Sequence, residues 1–420
     1  MLARLRRLHP FRTADTERLA ALFAIVYFAQ GMWSLPDQTI KITFKDGGMT
    51  PGQVAAFFAL STVPWMIKPV YGLLSDFVPL FGRRRKTYLM LTSSTACLMG
   101  LIAGLSGEHT YWRLAVLYTG MGLGLAFTDV LADALMVENG KPRGLTGAFQ
   151  SVQWAAITVA SILVGVLGGH LAEHRDLHGA FTIAAGFPLV TLLMTILFVR
   201  EARARVDREA FRETWAAIRE GLGERSVWLV AGFIFLFNFS PSFGPAFLYY
   251  QTDVLGFSQK FIGYLSSLSP AAGVVGAFIY APLSRRMPLR RVINLAIAIA
   301  VVGTLGYLLY RGPYSAIVIE LLFGCAGMIT QLAFLDLAAK ACPRRVEATF
   351  FALLMSVFNA GIQASQNVGA RLYTALGGGL SGFNQLVLIS AAATAVVWLL
   401  LPLVRIERIE ARAREAEARV

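Results

Sequence analysis

Charge is scarce in this chain of 420 residues: Asp, Glu, Lys and Arg together make up 15% of it. Soluble domains carry about 25%. Apolar residues account for 56% and the mean hydropathy is +0.59, which is a membrane composition. Cysteine is nearly absent. Cys97, Cys325 and Cys342 show neither metal-ligand spacing nor an even-numbered framework, which argues against disulfides and zinc. No nucleophile–base spacing points to an enzyme, and no cofactor is expected. "GMGLG" (Gly120 to Gly124) follows no strand, so it is not a dinucleotide loop; its spacing suits close helix packing. His170, His174 and His178 share helical spacing in an outer loop but lack a defined ligand set, so no metal is expected. No cleavable leader is expected either. The first apolar run starts well inside the chain without a small-residue cleavage site, and it reads as a first spanning helix.

What is present is a series of apolar runs. A spanning helix needs about 20 such residues. Candidates fall at 19–40, 53–75, 87–106, 112–138, 145–169 and 179–199, then at 227–250, 259–283, 292–310, 313–339, 347–372 and 382–404. We number them spans 1 to 12. The formal charge of +13 would suit nucleic acid, but its placement says otherwise. With the N-terminus inside, the inner loops collect Arg4, Arg6, Arg7, Arg12, Arg18, Arg83–Lys86, Lys141, Arg143, the arginines of 200–225, Arg285, Arg286, Arg290, Arg291, Lys340, Arg344, Arg345 and those of the tail, through Arg419. Only Lys41, Lys45, Lys68, Arg113, Arg175, Lys260, Arg311 and Arg371 fall elsewhere. This is the positive-inside pattern of a multi-pass protein of the cell (inner) membrane with both termini cytoplasmic. The partner of the basic loops is the lipid bilayer, not nucleic acid.

The halves echo each other. "KDGGMTPGQVAAFFALSTVP" (Lys45 to Pro64) parallels "TDVLGFSQKFIGYLSSLSP" (Thr252 to Pro270), and Asp133, Pro142 and Thr146 parallel Asp336, Pro343 and Thr349. Parallel six-helix repeats describe the all-α major facilitator architecture of secondary transporters. The expected organisation is a bundle at 1–199, a cytoplasmic linker at 200–226, a second bundle at 227–404 and a solvated tail at 405–420.

"KPVYGLLSDFVPLFGRRRKTYL" (Lys68 to Leu89) resembles the loop between helices 2 and 3 of that superfamily. Gly72, Asp76, Gly82 and Arg83–Arg85 match by type. Five residues rather than the usual two separate Asp76 from Gly82. In that departure, and in "TDVLADALMVEN" (Thr128 to Asn139) and "YQTDVLGFSQKFIGYL" (Tyr250 to Leu265), the chain resembles the folate–biopterin transporter family. The resemblance implies transport of an anionic or polar heterocycle of the pterin or folate type. It also implies a cytoplasmic gate built from Asp76, Arg83, Glu138 and Arg143, with Arg84 and Arg85 serving only as anchors. The alternatives are a permease for another solute, such as muropeptides, and a non-transporting assembly or pigment-delivery factor of the same fold.

Polar residues inside the spans fall on single helical faces. Span 1 carries Tyr27, Gln30, Ser34 and Asp37; span 2 carries Ser61, Trp65, Lys68, Gly72 and Ser75; span 4 carries Asp129 and Asp133. A charge at a span's centre costs about 2.5–3.5 kcal/mol, so each should meet protein or water. Lys68 and Asp129 lie at similar depth, so Lys68 is expected to pair with Asp129 or Asp133. A cation that can exchange its Asp partner for a substrate carboxylate suits an anionic solute. Protonation of either aspartate would release Lys68, and proton-coupled symport is expected on that ground. Further substrate contacts are expected from Gln30, Trp65, Gln153, Asn238, Asn359 and Gln363, with weaker stripes at Gln331, Gln366 and Glu320. Trp65, Trp154, Phe127 and Phe239 are candidate stacking surfaces for a flat ring.

Overall fold

The computed structural model describes residues 10, 11, 13–107, 109–203, 208–343 and 346–417. The inner-loop arginines Arg4, Arg6, Arg7, Arg12, Arg205, Arg344, Arg345 and Arg419 lie outside the described residues. The regular structure described is helical, as expected for a backbone that must satisfy its own hydrogen bonds in lipid. Among the described residues, ten helical segments are long and apolar enough to span. They answer to spans 1–6, 8–10 and 12. Span 7 is shorter, at Arg225–Asn238. Span 11 is the long helix Glu347–Ala375.

The chain forms two compact units, Met1–Thr39 with Val63–Arg208, and Ile40–Thr62 with Glu209–Val420. In the second unit, the last residues of span 1 and the first half of span 2 are tied down by polar contacts. Lys45 Nζ lies 2.6 Å from Asp253 Oδ1 and 5.5 Å from the centroid of the Tyr249 ring. Tyr249 Oη donates to Met49 O at 2.5 Å, and Asn367 Nδ2 donates to Ala55 O at 3.2 Å.

Several spans are interrupted where the apolar pattern predicted continuity, and proline supplies the reason. Span 1 starts at a cap, with Thr16 N donating to Thr13 Oγ1 at 3.3 Å. It runs Ala14–Met32, turns through Trp33–Pro36 and resumes as Asp37–Asp46. Span 2 divides into Pro51–Met66 and Lys68–Phe77. Pro69 has no N–H for the carbonyl one turn earlier, and the break at Ile67 puts Lys68 at the start of a helix. Span 7 stops at Asn238 before "FSPSFGP", then resumes at Ala246–Tyr249 and a π-turn, Tyr250–Val254. Span 11 satisfies the freed backbone: Ser242 N donates to Ser365 Oγ at 3.0 Å, and Ser365 Oγ donates to Ser240 O.

Two polar segments are more structured than their composition suggests. The linker contains the helix Arg208–Leu222. The tail, expected to be solvated, forms the helix Ile406–Glu417, and Ile406 and Ile409 are buried in the second unit's core with Ile293, Ile297 and Leu337. Three residues apart, the two isoleucines share a face, and burying that stripe outweighs the mixed charges around it.

Small residues set how closely the spans pack. A Cβ on Gly124 would lie 2.5 Å from Thr92 O, across spans 3 and 4. Thr92 and Thr128 hydroxyls meet beside it at 2.7 Å. In the second unit, Cβ atoms on Gly276 and Gly324 would collide with the backbone oxygens of Cys325 and Ser269. Backbone cannot yield as a flexible side chain does. Gly124→Leu is therefore expected to destabilise the protein by about 2 kcal/mol or more through overpacking, read as a lowered thermal unfolding midpoint in detergent.

Candidate functional site

The first unit holds a charged cluster in its apolar interior. The break at Ile67 frees Lys68 from a regular turn, and its Nζ reaches Asp129 Oδ2 at 2.6 Å. The side chains are 18% and 5% exposed. Of the two pairings the sequence allowed, this is the one present. Nζ also sits 4.8 Å from the centroid of Trp65, a cation–π distance. Trp65 leans on Trp33, which stacks on Tyr118 at 5.0 Å. Tyr118 Oη bonds to Asp37, and so an aromatic wall runs from the Lys68 pair to the turn of span 1.

Asp133, one turn further along span 4, has different partners. Tyr27 Oη donates to its Oδ1 at 2.5 Å, and Gln153 Nε2 lies 3.4 Å from the same oxygen. Gln153 is 1% exposed. Spans 1, 2, 4 and 5 thus contribute to one buried network. Gln30 adds a buried amide whose Oε1 has no hydrogen-bond partner among the described residues.

Asn238, Asn359 and Gln363 belong to the second unit. Asn238 Nδ2 donates to Ile234 O at 2.8 Å, and the residue lines a cleft. Gln363 Oε1 is buried without a partner among the described residues. Of the candidate stacking rings, Trp65 lies in the cluster. Phe127 is occupied by Tyr71, stacked on it at 4.6 Å; Trp154 is exposed; Phe239 stacks on Phe235.

The basic loop corrects the expected gate. Arg85, expected only to anchor, is the buried hub at 6% side-chain exposure. Its Nη2 bonds to Asp76 and reaches Glu138 Oε1 at 2.8 Å, and its Nη1 donates to Ser75 Oγ at 2.7 Å. Burial works against its charge, but Asp76 and Glu138 hold its pKa above the ordinary guanidinium value. Arg83 is exposed and makes a backbone bridge to Leu80, not the gate contact. Arg143 bonds to Asn139 O at 2.8 Å, not to Glu138. The turn decides this. Gly82, at φ 74°, redirects the chain so that the third arginine faces the carboxylates. Glu201 was missed because it lies in the linker. Its carboxylate accepts from the N–H groups of Arg84 at 2.8 Å and Lys86 at 2.8 Å, capping the start of span 3.

Two of the histidines use a ring nitrogen on a backbone carbonyl, one within its own helix and one across to span 3. His174 Nδ1 meets His170 O at 2.8 Å, and His178 Nδ1 meets Gly104 O at 3.0 Å.

Bundled apolar helices with a charge pair held inside them define, among the described residues, a multi-pass membrane protein of the major facilitator fold. Fold comparison agrees. The nucleoside transporter NupG superposes with a TM-score of 0.71 at 13% identity, over 93% of this chain and 99% of that one. A bacterial homologue of the human lysosomal transporter Spinster superposes at 0.70 and 13% identity, over 96% and 99%. Residues 30–418 match the BT1 family, and the chain belongs to it. Among its relatives, the folate-biopterin transporter of Synechocystis sp. is 32% identical, covering 93% of this chain and 81% of the relative. Probable folate-biopterin transporter 4 of Arabidopsis thaliana is 25% identical over 87% and 90%. Folate transporter 2 of Plasmodium falciparum is 26% identical over 80% and 76%.

Breaking one side of the Lys68–Asp129 pair leaves a charge stranded in the interior. Lys68→Met and Asp129→Leu are each expected to destabilise by about 3–5 kcal/mol, and the double variant to regain most of that loss, as read by thermal unfolding of the purified protein. At the loop, Arg85→Ala is expected to cost roughly 2 kcal/mol and Arg83→Ala almost nothing. Equal effects in the two variants would contradict the assignment of Arg85 as hub.

Proposed function

We propose that the protein carries a folate- or pterin-like solute across the cell (inner) membrane by alternating access, with its basic loops and both termini on the cytoplasmic side. The observation that carries this reading is the Lys68 ammonium, held between Asp129 and the Trp65 ring. Lys68 can exchange Asp129 for a carboxylate of the solute, while neighbouring aromatic faces accept a flat ring. The relatives named for folate and biopterin transport point to the same solute class. The loop asymmetry supports the orientation.

Proton coupling follows from the same pair. Protonation of Asp129 removes the attraction that holds Lys68 and frees the amine for the solute. Asp133 is the second acid of the network, with Tyr27 and Gln153 as partners. Asp76, Arg85 and Glu138 act as the cytoplasmic gate, whose contacts bias a two-state equilibrium.

The test is uptake into proteoliposomes. Wild-type protein is expected to accumulate labelled folate and biopterin, faster with the outside acidic. Lys68→Gln is expected to reduce folate uptake about tenfold or more, because a charge-assisted hydrogen bond to a carboxylate is lost. Biopterin, which has no carboxylate, should be much less affected. Absence of uptake of either compound by the wild type would refute the solute class. A rate indifferent to an imposed pH gradient would refute the coupling.

A further inference from the structure

The second unit contains a cleft of about 600 Å³, within the ordinary range of small-molecule sites. Its walls are mostly apolar and include Phe237, Phe323, Phe334 and Phe358. Phe237 and Phe334 stack at 4.2 Å, and Phe323 is braced edge-on by Tyr307 at 4.9 Å. Such rigid aromatic surfaces suit a flat ring, not a flexible chain.

Two features show that the cleft is more than loose packing. Gly327 lines it, and a Cβ placed there would meet nothing within 4 Å. This glycine is not required by a neighbouring helix, unlike Gly324 one turn earlier, whose Cβ would strike Ser269 O. A helix-interior glycine costs about 1 kcal/mol relative to alanine, so the open space is kept against helix propensity. One turn beyond it, Gln331 lines the same cleft. Its amide offers a donor and an acceptor side by side. Asn238, whose Nδ2 donates to Ile234 O, lines the cleft as well.

We infer that this cleft is a binding subsite for the ring of a planar heteroaromatic solute, with Gln331 reading an adjacent N–H and C=O on the ring edge. A pterin ring presents that edge at its N3–H and C4 carbonyl, and its faces suit the phenylalanine walls. The inference rests on the solute class proposed above and adds a ring-recognising site separate from the amine of Lys68. Gln331 is a specificity-determining residue: a site built around paired hydrogen bonds rejects rings that lack the matching edge.

The experiment is equilibrium binding of biopterin and of folate to the purified full-length protein, with thermal unfolding measured in parallel. Gly327→Leu fills the cleft and is expected to weaken both ligands about tenfold or more while leaving the unfolding midpoint unchanged or raised. Gln331→Leu is expected to weaken biopterin about tenfold, and to bind a pteridine without the amino and oxo groups as tightly as wild type does. If both variants retain wild-type affinity for biopterin, the cleft is not the ring site, even where folate still depends on Lys68. If wild-type protein binds neither compound, the solute class and the subsite fail together. If binding survives in both variants but is lost in Lys68→Gln, the subsite alone fails.

Discussion

Lys68 sets the terms for the rest of the first unit. An ammonium among apolar spans is tolerated only where an opposite charge and a polarisable face meet it, and Asp129 and Trp65 supply both. That requirement explains the local architecture around it. The proline break at Ile67 turns Lys68 into a helix-start residue, and Asp133 is occupied by Tyr27 and Gln153 so that one aspartate, not two, neutralises the amine. A stiff, regular span 2 would not have this freedom of approach.

The same economy appears at the basic loop. Three successive arginines are chemically identical, yet one of them is buried. Arg85 takes Asp76, Glu138 and Ser75, while Glu201, more than a hundred residues later in the chain, caps the start of span 3. Binding a single guanidinium in three directions makes this loop a rigid corner.

The second unit is built by different means. Its helices cross where glycine lets backbones touch, and its interrupted span 7 is repaired by Ser365 rather than by charge. Gly327, like Gly232 and Gly306, departs from that rule, and it lines the cleft together with Gln331. The two units thus offer complementary chemistry, a cation in one and an aromatic cleft with a polar edge in the other.

Much was readable before any coordinates. The spans follow from hydropathy, because the bilayer imposes long apolar runs on any chain of this kind. The pair Lys68–Asp129 was also legible, since helical periodicity and depth narrow its partners to two residues. What the tertiary structure alone decided is the choice among equals. Asp129 over Asp133, Arg85 over Arg83, and the docked Ile406 and Ile409 of a tail that reads as solvated all depend on backbone turns and packing at a distance. Periodicity assigns a side chain to a face. Where a helix breaks, at Ile67, Gly82 or Asn238, that assignment ends, and only the three-dimensional path of the chain determines which group meets which.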